Sequence, residues 1–193
     1  MRVLVLFAHP CEESYGAALH ERTIATLRAA GHEVDDCDLY AEGFDPVLSA
    51  AERRGYHDTR TNTAPVADHV GRLRRAQALV IVSPIWNYGF PAILKGYFDR
   101  VFLPGVAFEL GEGKVRGCLQ NIVKVVAVTT YGGSRLKAFL VGDPPRRIVM
   151  RTLRPTVKLF APFRYLAHYN MNLSTQQSRA AFLDKVTAAM KAL

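Results

Sequence analysis

The stretch from Ala78 to Phe102 constrains the fold of this chain more than any other. It begins with a continuous apolar run, Ala78 to Val82, which is typical of a strand covered on both faces in a parallel sheet. From Ala92 onward, apolar residues recur at helical spacing with charged residues on the other side, and Pro91 fits the first turn of such a helix. The stretch therefore predicts a buried strand, a loop from Ser83 to Gly89 and an amphipathic helix.

Strands and helices are predicted to alternate along the rest of the chain as well. The other predicted strands are Arg2 to Ala8, Glu33 to Leu39, Ile122 to Thr130 and Arg164 to His168. The other predicted helices are Ala17 to Ala29, Ser49 to Gly55, Val66 to Arg75, Arg146 to Phe160 and Ser174 to Ala192, the last with Ser174 and Gln177 as a capping box. The glycine-rich segment Leu103 to Gly117, which includes Glu112, is predicted to be a loop. The alternation indicates an α/β fold with a doubly wound, five-stranded parallel sheet in the order 2-1-3-4-5 and helices on both faces.

Length and cysteine usage limit the remaining possibilities. A chain of 193 residues fits one domain, residues 1–193. It contains no apolar run near the roughly 20 residues that span a bilayer, so we expect a cytoplasmic protein. Cys11, Cys37 and Cys118 form no Cys-x-x-Cys pair, and the histidines other than His9 show no metal-ligand spacing. No disulfide framework and no metal site are therefore predicted.

The formal net charge of +8 leaves two interpretations open. The basic clusters are either solvated helix faces or an attraction for anionic cofactors. None of the clusters is interleaved with aromatic residues as nucleic-acid surfaces usually are, so no nucleic-acid partner is predicted.

Three loops are expected to meet at one edge of the predicted sheet. In a sheet of this order, ligands bind outside the carboxyl ends of the strands, at the switch between the first and third strands. The loops that follow the first, third and fourth strands are His9 to Gly16, Pro84 to Gly89 and Thr130 to Ser134. We therefore expect these loops to face one another.

Each loop admits a functional and a plainer interpretation. Ser14 to Gly16 opens a helix whose unpaired N–H groups suit a phosphate, but Glu12 and Glu13 could satisfy the same helix end. Trp86 and Tyr88 fit either a flat apolar wall for a ligand or the core. Gly132 and Gly133 fit either close backbone approach to a flavin edge or a simple turn.

With these motifs the chain resembles the quinone-reductase branch of the flavodoxin-like proteins. That branch includes NAD(P)H:quinone oxidoreductases and ancillary proteins of bacterial potassium efflux systems. The resemblance rests on His9 with Ser14 and Tyr15, on the run Pro84 to Val101, and on Thr129 to Gly133. It implies a flavodoxin-like fold and a flavin-dependent NAD(P)H dehydrogenase (quinone)-type enzyme, with ping-pong hydride transfer from NAD(P)H to a quinone or similar flat acceptor.

The resemblance also implies which residues contact the cofactor. Its phosphate end would lie at the first loop, its isoalloxazine ring at the second and its pyrimidine edge at the third. These cofactor-binding residues are His9, Ser14, Tyr15, Gly16, Pro84, Ile85, Trp86, Asn87, Tyr88, Thr129, Thr130, Tyr131, Gly132 and Gly133. The cofactor is expected to be FAD, with FMN possible, because Ser49 to Asp68 resembles the segment that flanks the adenosine end in FAD-binding members.

The chain departs from the animal quinone reductases after the glycine pair. Those enzymes have a tyrosine and a histidine there, proposed to relay a proton, and Ser134 to Asp143 contains neither. Tyr131 is the one candidate for a catalytic side chain.

The resemblance implies a homodimer, in which apolar loops around Phe102 to Phe108 and Tyr165 to Met171 complete each other's sites. A second functional class stays open, a flavin-binding regulatory subunit of a membrane potassium-efflux system. It would use the basic helix Arg146 to Phe160 to meet a membrane-protein partner. An electron-transfer flavodoxin is disfavoured, because such carriers more often need an acidic docking surface.

Overall fold

The computed structural model describes residues 1–111 and 113–193, and its main element is a parallel sheet. The strands in these ranges are β1 (Arg2–Phe7), β2 (Glu33–Asp38), β3 (Ala78–Ile85), β4 (Phe108–Gly111), β5 (Lys114–Gly117), β6 (Lys124–Tyr131) and β7 (Phe163–His168). The main sheet has the order β2-β1-β3-β6-β7, and all its neighbouring strands are parallel. The predicted order 2-1-3-4-5 is confirmed.

Helices cover both faces of this sheet. They are α1 (Tyr15–Ala29), α2 (Ala50–Gly55), α3 (Ala67–Arg75), α4 (Ala92–Val101), α5 (Arg135–Leu140), α6 (Pro144–Arg147) and α7 (Gln176–Lys191). Successive residues of β1 alternate between the two faces, since Leu4 and Leu6 pack with α3 and α4 while Val3 and Val5 pack with α1 and α7. Because both faces are covered, the central strands are mostly apolar.

β3 is longer than the sequence predicted. Ser83, Pro84 and Ile85 belong to the strand, and all eight of its residues are buried. β1 stops pairing at Val82, so beyond that residue β3 has a neighbour on one side only, β6. A proline is tolerated there because strand edges do not need its missing N–H group.

The predicted loop from Leu103 to Gly117 is wrong in part. It contains an antiparallel hairpin of β4 and β5, in which Phe108 pairs with Gly117. Glu112, which the prediction included, lies outside the described residues.

The predicted basic helix from Arg146 to Phe160 is also wrong. α6 ends at Arg147 and is followed by a π-helical turn, Ile148–Thr152, and a 3₁₀ turn, Arg154–Thr156. Pro155 explains why no regular α-helix runs through the predicted span, because proline has no N–H group to donate to the preceding turn. The segment ends at Phe160, whose φ of 64° is left-handed.

The last helix begins later than predicted, with a different cap. Thr175 is the N-cap of α7, and it forms a capping box with Ser178. Ser174 instead accepts a hydrogen bond from the Arg179 guanidinium at 3.3 Å. In the part of the chain that the structure describes, no helix has both the length and the hydropathy that crossing a bilayer requires.

Candidate functional site

The three loops do meet at the carboxyl edge of the main sheet. β1, β3 and β6 are neighbours in register, so the chain leaves all three at the same edge. The rings of His9 and Trp86 lie 5.8 Å apart, edge to face, which joins the first loop to the second. A Cβ atom on Gly133 would lie 3.3 Å from the Tyr88 hydroxyl, so the second loop touches the third. The loops therefore form one continuous surface.

The first loop presents hydrogen-bond donors at the start of α1. The Ser14 side chain caps this helix by accepting from the N–H group of Ala17 at 3.0 Å. Glu12 and Glu13 are exposed, and the first turn of α1 contains no acidic residue. The plainer interpretation, in which those glutamates satisfy the helix end, is therefore not what the structure shows. The remaining dipole still favours an anion.

His9 is oriented toward the same helix start. Its Nδ1 accepts a hydrogen bond from the Cys11 N–H group at 3.0 Å, so in the neutral ring the proton is on Nε2. A Cβ atom on Gly16 would lie 3.3 Å from the His9 ring and 3.4 Å from the Ser14 hydroxyl oxygen. Gly16 therefore leaves room for the imidazole against α1.

Arg179 of α7 is a cation beside the first loop that the sequence analysis missed. Its main-chain carbonyl accepts a hydrogen bond from the Tyr15 hydroxyl at 2.8 Å. Burial raises the pKa of Tyr15 to about 12, and the nearby Arg179 charge limits that rise. No local motif marks Arg179, because its position depends on the packing of α7 beside α1.

The second loop is a tight turn that holds an aromatic side chain at the surface. Trp86 and Gly89 exchange two backbone hydrogen bonds, at 3.0 and 2.8 Å. Asn87 and Tyr88 between them have φ values of 49° and 57°, as a type I′ turn requires. Trp86 is 44% exposed and is not a core residue, whereas Pro84 and Ile85 are buried in β3.

The third loop follows β6 and rests on the segment after β7. Thr129 is buried and donates to the Leu166 carbonyl at 3.2 Å, while Thr130 is half-buried. The Gly133 carbonyl accepts from the Asn170 N–H group at 2.9 Å. Gly132 is exposed, so main-chain groups of this loop are open to a ligand.

Tyr131 lies beneath the third loop rather than at the surface of the site. Its side chain is 2% exposed, and its ring packs on Tyr169 at 4.8 Å. Its hydroxyl donates to an Asp143 carboxylate oxygen at 2.7 Å and lies 2.6 Å from the Tyr165 hydroxyl. Burial, together with these partners, raises the pKa of Tyr131 far above that of a free tyrosine. Tyr131 therefore packs beneath the loop with its hydroxyl hydrogen-bonded, and its catalytic role stays a prediction.

Comparison with known proteins identifies a family for nearly the whole chain. Residues 1–190 match the family model described as a flavodoxin-like fold. Among curated proteins, NAD(P)H dehydrogenase [quinone] 1 of Cavia porcellus is 32% identical over 152 residues, which cover 70% of this chain and 55% of that protein. The chain thus spans little more than half the length of this relative.

Solved structures show the same architecture. A protein from Streptococcus mutans superposes with a TM-score of 0.90 at 27% identity, with all of both chains covered. An NAD(P)H:quinone oxidoreductase from Methanothermobacter marburgensis has a TM-score of 0.81 at 26% identity, over 99% of this chain and 96% of that one.

Proposed function

The chain belongs to the flavodoxin-like fold family, and from that premise we propose that it is a flavin-dependent NAD(P)H oxidoreductase. Its acceptor would be a quinone or a similar flat molecule that takes two electrons. The observation that carries the proposal is the convergence of the three loops, with the exposed Trp86 packed edge to face against His9. The names of the relatives from Cavia porcellus and Methanothermobacter marburgensis support the same reaction class.

The residues present fit the two ends of a flavin. For the phosphate end, the start of α1 offers the N–H groups of Tyr15 and Gly16, and Nε2 of the neutral His9 ring is a further donor. We infer that the ring rests against Trp86 and that its pyrimidine edge bonds main-chain groups between Thr129 and Gly133. Flavin bound there would supply the redox chemistry, and the protein supplies orientation.

The shared surface of the three loops favours a ping-pong sequence. The three loops bound one surface, so NAD(P)H and the acceptor would occupy the same place in turn. The protein's part is then to hold each flat ring against the aromatic wall at Trp86 and to exclude water from it. Tyr131, with its hydroxyl already engaged, holds the third loop from below.

We propose FAD as the cofactor, with FMN as the alternative. The support for FAD is the resemblance of Ser49 to Asp68 to the adenosine-flanking segment. In the structure this segment contacts α4 and its end, since Glu52 pairs with Arg100 and the Asn62 side chain donates to the Pro104 carbonyl at 3.0 Å. These contacts do not bring the segment to the first loop, so FAD rests on the resemblance alone.

The first experiment identifies the cofactor. The purified chain, or the chain reconstituted with FAD and with FMN separately, is heated and the released flavin is separated by chromatography. We expect a yellow protein with one flavin per chain. A chain that retains neither flavin after reconstitution would refute the proposal.

The second experiment separates an enzyme from a sensor. Steady-state oxidation of NADH and of NADPH is followed with menadione as acceptor, and we expect turnover far above that of free flavin. Turnover equal to free flavin would favour the regulatory class. The continuous basic helix that suggested that class is absent from the structure, since Pro155 interrupts it.

A homodimer is the proposed assembly. An apolar cavity of about 400 Å³ lies between α4, the β4–β5 hairpin and the turns after α6, and Phe98, Phe102 and Phe108 are among the residues that line it. Helix α5 adds exposed Phe139, at 74%. Apolar surface of this kind commonly marks an interface. Light scattering coupled to size-exclusion chromatography would report the mass, and a monomer at all concentrations would contradict the proposal.

A further inference from the structure

Cys37, Glu42 and His69 come together in the fold although they are far apart in the sequence. Cys37 is the fifth residue of β2, Glu42 lies in the turn after that strand, and His69 lies in α3. The Cys37 sulfur is 3.6 Å from a Glu42 carboxylate oxygen and 3.8 Å from the His69 Nδ1 atom. The three ligand atoms all lie within 4.8 Å of one another. We propose that they form a Zn²⁺ site, separate from the three loops of the candidate flavin site.

The two distances from the Cys37 sulfur match what tetrahedral zinc needs. Zinc bonds of about 2.3 Å to sulfur and about 2.0 to 2.1 Å to nitrogen or oxygen place the ligand atoms about 3.5 Å apart at a tetrahedral angle. Both contacts of the Cys37 sulfur are within a few tenths of an ångström of that value. The thiolate and the imidazole select zinc over magnesium or calcium, and a carboxylate is an accepted third ligand of zinc.

The charges around the site balance one divalent cation. Arg72 pairs with both Glu42 and Asp35, and its side chain is only 15% exposed. With Cys37 as a thiolate, these four groups sum to two negative charges, so a Zn²⁺ ion neutralises them. When the ion binds, the thiol proton leaves to solvent and the sulfur bonds the metal.

Arg72 also supports the ligands directly. Its Nη1 atom donates to the two Glu42 carboxylate oxygens at 2.7 and 2.8 Å, and its Nε atom donates to Asp35 at 2.8 Å. Carboxylate ligands are normally held by such hydrogen bonds. Glu42 thereby keeps its orientation while the lone pairs that face Cys37 remain available.

A second observation concerns Tyr97 of α4. Its ring packs edge-on against His69 at 5.6 Å, and its buried hydroxyl has no hydrogen-bond partner among the described residues. A buried hydroxyl without a partner is costly, so an absent group is expected nearby. A water molecule in the fourth zinc position is a candidate for that partner.

The site would fasten the edge of the sheet. β2 is an edge strand, and Cys37 is its only fully buried residue. Bonds from one ion to Cys37, Glu42 and His69 would tie this strand, the turn after it and α3 together. Glu42 is partly exposed, so the ion can enter from the solvent side.

Zinc binding to the full chain tests the proposal directly. The protein is stripped with a chelator, dialysed and titrated with Zn²⁺ against a chromophoric competitor. We expect one Zn²⁺ per chain and a higher melting temperature with zinc, whereas Mg²⁺ changes neither. Binding no stronger than that of the Cys37→Ser/His69→Gln double variant would overturn the proposal.

Matched variants separate the site from other thiols and imidazoles. Cys37→Ser and His69→Gln should each weaken zinc affinity by more than the about 10- to 100-fold that loss of a supporting hydrogen bond costs. Cys118→Ser and His57→Gln remove a thiol and an exposed imidazole elsewhere and should bind as the wild type does. Equal losses in all four variants would contradict the assignment.

A spectroscopic test stands even where a ligand variant fails to fold. The Cys11→Ser/Cys118→Ser variant retains Cys37 as its only thiol. Loaded with Co²⁺ in place of zinc, it should show the thiolate-to-cobalt charge-transfer band and the visible bands of a tetrahedral ion. A cobalt spectrum without the thiolate band would refute coordination by Cys37.

Discussion

The substitution Gly96→Ala tests how α4 is held against the rest of the fold. Gly96 lies in the middle of α4, and its main chain meets Pro46 of the segment after β2. A Cβ atom built on Gly96 would lie 2.3 Å from the Pro46 carbonyl oxygen, 2.4 Å from its Cβ atom and 2.5 Å from its Cα atom. Two of these three atoms are backbone, so the clash cannot be relieved by rotating a side chain.

Pro46 has little freedom to move away. Phe44, two residues earlier, is buried and packs on Tyr97 of α4 at 5.4 Å. The Asp45 carbonyl accepts a hydrogen bond from the Arg100 guanidinium, which is also on α4. The segment is therefore attached to the same helix at two further points.

The expected effect is a net loss of stability. Replacing glycine by alanine within a helix gains about 0.5 to 1 kcal/mol from the backbone. Inserting atoms into a packed contact costs about 1 to 3 kcal/mol, and the short distances at Gly96 argue for the upper end or beyond. The free energy of unfolding should fall by about 2 kcal/mol, which lowers the melting temperature by roughly 4 to 8 °C in a chain of this size.

Gly71→Ala is the matched control, because Gly71 also lies within a helix, α3. There the nearest atom to a new Cβ would be the end of the flexible Arg75 side chain, at 3.0 Å. We expect a gain of about 0.5 to 1 kcal/mol. Thermal and urea unfolding of both variants, each without flavin, gives the comparison. If Gly96→Ala melts at or above the wild type, as the control should, then α4 and Pro46 are not in the contact described.

Three further perturbations test the site and its support. Trp86→Ala should weaken flavin binding by roughly tenfold at most, because an aromatic contact contributes about 0.5 to 1.5 kcal/mol. Phe160→Ala, which removes an 88% exposed aromatic ring elsewhere, should leave flavin affinity unchanged. Equal flavin affinities of Trp86→Ala and the wild type in a fluorescence titration would contradict the role of Trp86. Glu52→Gln should lower the free energy of unfolding by about 3 kcal/mol, because it breaks the nearly buried ion pair with Arg100. Burial raises the pKa of Glu52, but hydrogen bonds from its helix cap and from Arg100 outweigh burial and leave that pKa lowered. The wild type should therefore lose stability as the pH falls through the lowered pKa of Glu52. In urea unfolding, Glu52→Gln should not show this loss, because glutamine does not titrate. Tyr131→Phe should lower the free energy of unfolding in urea by about 1 to 3 kcal/mol, because Asp143 and Tyr165 lose their hydrogen-bond partner. A loss of turnover without a loss of stability would show instead that Tyr131 is catalytic.

The sheet could be predicted from the sequence because its order follows from buried apolar runs that alternate with amphipathic ones. Ala78 to Val82 and Ile122 to Thr130 carry that signal residue by residue. In the structure, β3 extends into the predicted loop as far as Ile85, because pairing with β6, and not local propensity, sets the end of the strand. The helix predicted at Arg146 to Phe160 is wrong because Pro155 lies inside that range, and a proline interrupts a regular α-helix.

Contacts between segments that are distant in the sequence could not be predicted from it. Arg179 reaches the first loop only because α7 packs beside α1, and no spacing in the sequence signals it. The proximity of Cys37 and His69 also depends on the fold, and the sequence analysis predicted no metal site because these residues lack a regular ligand spacing. A site assembled from a strand and a neighbouring helix has no characteristic spacing, because the intervening residues belong to other elements.

The conformation of the turn at Trp86, and with it the candidate site, depends on how firmly β3 and α4 are held in the fold. Two consecutive non-glycine residues, Asn87 and Tyr88, adopt left-handed geometry there. Such residues cost of order 1 to 3 kcal/mol each where the conformation is strained, so the surroundings must determine the turn. On one side it leaves the fully buried β3, and on the other it enters α4, which Pro46 fixes at Gly96. A loosened α4 should therefore release the turn before it unfolds the sheet, and in Gly96→Ala the flavin affinity should fall along with the melting temperature.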